Sequence, residues 1–324
     1  MEESTVGSEI KGIRNELIPL ENGEKHPLKI ISFRSLEMSH SQMVTDELIS
    51  RDRPVAFHGW GVTGIAGRVD ERSEYRKFWT IKEGRPQGSK IPLLEPPEEI
   101  VRHVDWSAVH PELRFLKDAN ALKELLWGGK LPFHVIFPYN ASGSSLPDVV
   151  ITPPNDPDVA PEINFPSFCS FWVEDPSTIN LLEKIKQENP WVQLGVSSLN
   201  DHGKQPPYNT SELIEYLKGR SRIDFDIVIE DPLLEGLDIA SSHSQIKIPL
   251  VGEEPVWVMK RVGSLSAKGF QSSTGFQVRL ANGEDTRVAS RRAAKDVDLD
   301  DKLYTAARLM NQWRIDVLKG ETER

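Results

Sequence analysis

A single cysteine, Cys169, stands in a chain of 324 residues. That scarcity excludes an intramolecular disulfide and any cysteine-rich zinc module. The apolar run CSFWV around it marks an inert core thiol rather than a nucleophile. Long hydrophobic runs are also missing: none approaches the roughly 20 residues that a membrane-spanning helix needs. The N-terminus, MEESTVGSEIKG, lacks the basic-then-apolar order of a secretory signal. Cytoplasmic residence without a membrane partner is therefore expected. Nor is there a cationic excess, because 39 Lys and Arg stand against 49 Asp and Glu, a formal charge of −10. Binding a phosphate backbone draws on clustered cations, so this balance disfavours nucleic acid as the main partner. The local basic clusters, such as Arg220 with Arg222 and Lys260 with Arg261, read as solvated surface. What the chain does have is 38% hydrophobic residues and a mean hydropathy of −0.41. That is the composition of a soluble globular protein.

Residues 1–27 are polar and read as a flexible lead-in. Apolar runs at Leu28–Phe33, Val55–Phe57, Pro132–Phe137, Phe171–Val173, Val192–Val196 and Phe225–Ile229 read as strands. Helical spacing appears around Met43–Ile49, at Glu71–Ile81, Asn120–Trp127, Thr178–Gln187 and Ser211–Leu217. This alternation predicts a mixed α/β sheet covered by helices. The proline-rich stretch Asn140–Pro166 reads as a long loop, of the kind that is usually functional or disordered. Near the end, Phe276–Leu280, Asn282-Gly283 and Thr286–Ala289 predict a β-hairpin. Asp300–Leu318 follows as an amphipathic helix with Leu303, Ala307, Met310, Trp313 and Val317 on one face.

Four short segments carry chemistry. In VAFHGWGVTGIAG (Val55–Gly67) a buried strand runs into a glycine-rich turn, where Gly59 and Gly61 either admit a ligand close to the backbone or simply allow the turn. In IKEGRPQGSKIPL (Ile81–Leu93), Lys82 and Arg85 combine a compact charge with a planar guanidinium fork, which suits a polyphosphate. The same residues also fit an ordinary helix C-terminus, a lysine in the last turn followed by glycine. In SSLNDHG (Ser197–Gly203), Ser198 and Asn200 offer donors and acceptors to a nucleotide or carbamate. An Asx turn between strand and helix would use the same residues without any ligand. The fourth segment is Arg261-Val262-Gly263, the tail of a late strand.

Taken in order, these segments resemble the YrdC-like family of threonylcarbamoyl-adenylate synthases and related carbamoylating enzymes. The family's P-T-D-T-V-Y-G-L falls on His58 to Ile65, with Gly64 matched and Thr63 in place of the tyrosine. Its K-x-R-P falls on Lys82, Arg85 and Pro86, and its T-S-A-N-x-S-G on Ser197 to Gly203. Trp127 to His134 stands where the family has W-P-G-P-x-T, and Ser244 and Arg261-x-Gly263 fall on its S-T-V-V-D and R-x-G. The chain departs from the pattern at His58-Gly59-Trp60-Gly61, and at Trp172-Val173-Glu174, where the family has a strand arginine.

The resemblance implies a twisted mixed sheet with a deep concave pocket over residues 28–265, leaving 266–324 as a C-terminal hairpin and helix. It implies ATP and Mg²⁺ as cofactors and a small amino-acid-like substrate. The typical reaction joins threonine, bicarbonate and ATP into threonylcarbamoyl-adenylate and releases pyrophosphate, serving tRNA modification. Lys82, Arg85, Ser198, Asn200 and Arg261 would hold the nucleotide. His58, Thr63, His134, His202 and Ser244 would line the pocket, and no catalytic residue is assigned.

One feature is the chain's own. Of eight histidines, His58, His134, His202 and His243 lie in or beside these motifs. Convergence of His58, His134 and His202 would make a transition-metal or acid–base site on the same scaffold. Local hydrogen bonding of each ring is the plainer alternative. A non-catalytic module that binds RNA or a nucleotide is a third reading.

Overall fold

The computed structural model describes residues 12–32, 38–58, 62–70, 89–127, 133–156, 163–172, 176–201, 204, 206–230, 243–263, 265–281 and 287–288. The expected helices at 71–81 and 300–318 lie outside these residues, as do Lys82, Arg85 and His202.

The strands are β1 (Ile13–Pro19), β2 (Lys25–Ser32), β3 (Val55–His58), β4 (Thr63–Arg68), β5 (Leu93–Leu94), β6 (His134–Pro138) and β7 (Ile151–Thr152). They continue with β8 (Ser167–Phe171), β9 (Leu194–Ser198), β10 (Ile227–Glu230), β11 (Gln245–Lys247), β12 (Trp257–Val262), β13 (Val278–Leu280) and β14 (Arg287–Val288). All belong to one mixed sheet in the order β1-β2-β10-β3-β4-β9-β5-β8-β6-β11-β12-β13, with β7 on β8 and β14 on β12. β10 lies parallel between β2 and β3, and β9 lies antiparallel between β4 and β5. The late strands are thus threaded among the early ones. Central strands read as near-continuous apolar runs because they are buried along their length, as in β6.

The helical stretches are α1 (Met38–Thr45), continued as a wider turn to Ser50, α2 (Pro97–His103) and α3 (Ala119–Leu122), continued likewise to Trp127. They are followed by α4 (Pro176–Glu188), α5 (Thr210–Leu217) and α6 (Ala267–Thr274). α5 begins where it does because of a reciprocal cap. The Asn209 side chain accepts from the Glu212 N–H at 2.8 Å, and the Glu212 carboxylate accepts from the Tyr208 N–H at 3.0 Å. Its buried face is Thr210, Leu213 and Leu217. It ends at Lys218, and Gly219 takes the left-handed conformation (φ 71°).

Two sequence expectations need correcting. The polar segment expected as a lead-in over 1–27 contains β1 and the start of β2, paired antiparallel from Ile13↔Ile31 to Pro19↔Lys25. β1 is the sheet's edge and, of its side chains, only Ile18 is buried, so its sequence carries little of the alternation that marks a strand. Among the described residues, the strands on either side of Asn282-Gly283 do not pair with each other as a hairpin would. β13 and β14 both lie parallel to β12, opposite Trp257–Met259 and Arg261-Val262 respectively. The long edge of β12 supplies the backbone partners that each segment would otherwise have sought in the other.

Candidate functional site

The first and third motifs are neighbours in the sheet. His58 pairs with Thr63 across β3 and β4, and Gly64 pairs with Ser198 across β4 and β9. The Leu199 N–H then donates to the Thr63 carbonyl, and the Thr63 N–H to the Pro207 carbonyl, each at 2.8 Å. Gly64 is required by packing: a Cβ there would stand 2.8 Å from Cζ of Phe57, its partner across the strands.

His58 is buried, and its Nε2 lies 2.9 Å from Oγ1 of Thr210, the first residue of α5. The Thr210 hydroxyl donates to the Glu230 carboxylate at 3.1 Å. That hydroxyl has one proton and has given it away, so it accepts from His58 Nε2–H. His58 Nδ1 is left as the acceptor for the Thr63 hydroxyl, 3.4 Å away. The polarity of this chain is fixed from its outer end, where Glu230 meets the exposed Arg14. Burial pushes the His58 imidazole down to about 4, so it is neutral at physiological pH.

At the end of β9 the Ser198 hydroxyl donates to Asn200 Oδ1 at 2.6 Å. Asn200 Nδ2 donates to the carbonyls of Asp201 (3.0 Å) and Lys204 (2.7 Å). In this state the two side chains build the turn itself, the role an Asx turn gives them. Asp201 accepts from Arg220 (2.6 Å), Tyr216 (2.9 Å) and Lys204 (3.2 Å). Burial alone would raise its carboxyl, but these donors outweigh it and hold the group below its ordinary value.

The remaining described candidates gather elsewhere. His134, Phe171, Gln245 and Arg261 form one cross-strand row over β6, β8, β11 and β12. The rings of His134 and Phe171 stack at 4.9 Å, those of Phe171 and His243 at 4.7 Å. His134 is held far below its usual pKa, first by burial and then by His243 and Arg261, and its Nδ1 is buried without a hydrogen-bond partner. The Arg261 guanidinium donates twice to the His243 carbonyl, at 3.0 and 2.7 Å. Ser244 is fully buried and acts as a fastener. Its hydroxyl donates to the Leu265 carbonyl and accepts from the N–H groups of Gly263 and Leu265. Burial drives the nearby Cys169 thiol up to about 12, consistent with an inert thiol.

Register separates these two groups. The row of His134 and Phe171 continues through Leu94 to Leu194, at the opposite end of β9 from Ser198. Those four residues amount to about 13 Å along the strand. His58 and His134 therefore belong to different ends of the strands, and His202 lies outside the described residues. Among the described residues no group of three or more His, Cys, Asp or Glu side chains could hold a metal. Both His58 nitrogens face hydroxyls: Thr63, already a pocket candidate in the sequence, and Thr210, which the sequence reading did not single out. A residue pair such as Thr210 and Glu230 leaves no local signal, because a strand brings Glu230 to the helix start.

Comparison with known structures settles the architecture. P. abyssi Sua5 complexed with L-threonine aligns over 87% of this chain and 88% of its own, with a TM-score of 0.54 at 13% identity. The chain has a Sua5/YrdC-like fold. A double variant of P. abyssi Sua5 aligns over 77% of this chain at a TM-score of 0.51 and 16% identity, and the chain spans 65% of that structure's length. No protein-family model and no curated sequence matches the chain. The likeness is thus one of fold, at 13–16% sequence identity. For the Mg²⁺ expected with ATP, the carboxylate beside the S-x-N turn, Asp201, is engaged by three protein donors.

Proposed function

We propose that the chain is a nucleotide-binding enzyme that forms a carbamoyl-adenylate from ATP, bicarbonate and a small amino-acid-like substrate. The observation behind this reading is the likeness to Sua5 in its L-threonine complex over 87% of the chain. In the proposed reaction the substrate amine adds to bicarbonate with loss of water, and an oxygen of the resulting carbamate attacks the α-phosphate of ATP. A new P–O bond forms, the bond to the β-phosphate breaks, and pyrophosphate leaves. Such chemistry depends on positioning and charge neutralisation more than on proton transfer. The described histidines agree, since burial keeps His58 and His134 neutral and makes both poor proton donors. Lys82 and Arg85 are assigned the phosphates, where an ammonium and a guanidinium fork neutralise developing charge.

The test is pyrophosphate release from ATP and bicarbonate, with and without L-threonine and a panel of other amino acids. Release that depends on one amino acid supports the reading. Absence of ATP binding by calorimetry overturns it.

A further inference from the structure

Three separate segments bring a carboxylate, an imidazole and a hydroxyl together. Glu95 follows β5, His103 ends α2, and Ser144 lies early in the proline-rich stretch after β6. The Ser144 Oγ is 2.6 Å from His103 Nδ1. The other ring nitrogen, Nε2, faces Glu95 Oε2 at 3.8 Å. A nucleophile within about 2.6–3.2 Å of a base that a third group orients is the arrangement that activates a serine. The Glu95–His103 distance exceeds a hydrogen bond, and contacts of this kind are often long until a substrate binds and tightens them.

Each member is held in place. Glu95 is 1% exposed, and its Oε1 accepts from Lys186 Nζ at 2.7 Å, which leaves Oε2 toward the histidine. A carboxylate at Nε2 favours the tautomer with its proton there, so Nδ1 accepts from the Ser144 hydroxyl. His103 is buried, with the Phe168 ring edge-on at 6.1 Å. The Asn140 N–H donates to the His103 carbonyl at 2.8 Å, tying the helix end to the loop of the serine. The Tyr139 hydroxyl donates to the Ser144 carbonyl at 2.9 Å and accepts from the Leu146 N–H at 3.2 Å, pinning that loop on both sides of Ser145. Ser144 itself is half-buried between exposed Gly143 and Ser145. Among the described residues, the N–H groups of Ser144 and Ser145 bond no protein group, which leaves them to a developing oxyanion. A hydrogen bond that only fastened the loop would need no buried carboxylate behind it, since burying a charge is costly.

From this geometry we infer that Ser144 is a nucleophile for acyl transfer from small esters, with His103 as its base and Glu95 as a positioning residue behind the ring. The Ser144 Oγ adds to the ester carbonyl carbon while its proton passes to His103 Nδ1. The carbon–oxygen bond to the leaving group breaks, and the departing alcohol takes that proton. Water then adds to the acyl-serine and gives a proton to His103. The acid leaves, and the Ser144 oxygen recovers its hydrogen. The small, exposed neighbours Gly143 and Ser145 admit a short acyl group without a deep cavity. The site shares no residue with the groups around His58, Ser198 and His134. It uses no nucleotide and does not rest on the adenylation reading.

The experiment is labelling of the full chain with diisopropyl fluorophosphate, read by intact mass and peptide mapping, alongside cleavage of p-nitrophenyl acetate. The Ser144 Oγ attacks phosphorus and fluoride leaves, so one adduct at Ser144 is expected in the folded chain and none after unfolding in urea. Ser144→Ala removes only a half-buried hydroxyl and should abolish both the adduct and ester cleavage. His103→Gln should slow labelling at least about a hundredfold, the scale of a lost general base. Labelling should rise with pH as the His103 ring loses its proton. Glu95→Gln removes the negative charge behind the ring and leaves the Lys186 cation, so the midpoint of that rise should move to lower pH. Lost packing alone would slow the reaction without moving the midpoint. Absence of an adduct at Ser144, equal labelling in the His103 variant, or ester cleavage indifferent to Ser144→Ala overturns the inference. An unmoved midpoint in Glu95→Gln overturns the part assigned to Glu95.

Discussion

Lowering the pH should weaken this protein through His58, and a substitution there isolates the effect. The buried imidazole has fallen from its ordinary value of 6.5 to about 4. In the unfolded chain it takes up a proton near 6.5, whereas in the folded chain it resists until about 4. Its contribution is therefore fully present above 6.5 and is lost as the pH falls toward 4. At about 1.4 kcal/mol per pH unit, the difference is worth roughly 3 kcal/mol. Urea unfolding at steps between pH 7.5 and pH 4, for wild type and His58→Gln, measures it. The variant keeps an amide that can reach Thr210 but cannot titrate. Other groups, including buried His134, act on both proteins alike and cancel in the difference. The stability of wild type minus that of the variant should be flat above about pH 7 and fall by about 3 kcal/mol on the way to pH 4. A difference that stays constant across that range would refute the burial argument for His58.

Gly64→Ala places a methyl 2.8 Å from the Phe57 ring and should cost about 1–3 kcal/mol in urea unfolding, partly recovered by adding Phe57→Leu. Ser244→Ala strands the N–H groups of Gly263 and Leu265 and should cost about 2–4 kcal/mol, with faster amide exchange at both residues. Lys82→Ala and Arg85→Ala should each weaken ATP binding at least about tenfold by calorimetry, the scale of one lost charge-assisted contact. Unchanged affinity in both would remove these residues from the phosphate role.

How much could be read in advance depended on whether the signal was local. β9, its S-x-N turn and α5 were legible because strand, turn and cap each use neighbouring residues: Leu194 to Ser198, Asn200 and Asn209 with Glu212. β1 was not, since an edge strand leaves Leu17 61% exposed and buries Ile18 alone among its side chains. The Asn282-Gly283 dipeptide is a real turn signal, yet it says nothing of the distant β12 edge that β13 and β14 both join. His58 and His134 illustrate the same limit. Residue type marks each as a candidate, but register alone assigns them to opposite strand ends. The group of Glu95, His103 and Ser144 was illegible for that reason too, as its members are joined only by the fold.

The threading of β10 between β2 and β3 has a consequence for how the chain is made. Until residues 227–230 have left the ribosome, β2 and β3 each lack the strand that will join them. At about 5–20 residues per second, this leaves two apolar strand edges open for on the order of ten seconds or more. Long-range pairings of this kind form late and slowly, because the loop must close before any contact rewards it. Nascent chains should therefore depend on protection of those edges during synthesis, and the first strands to emerge should be among the last to find their place.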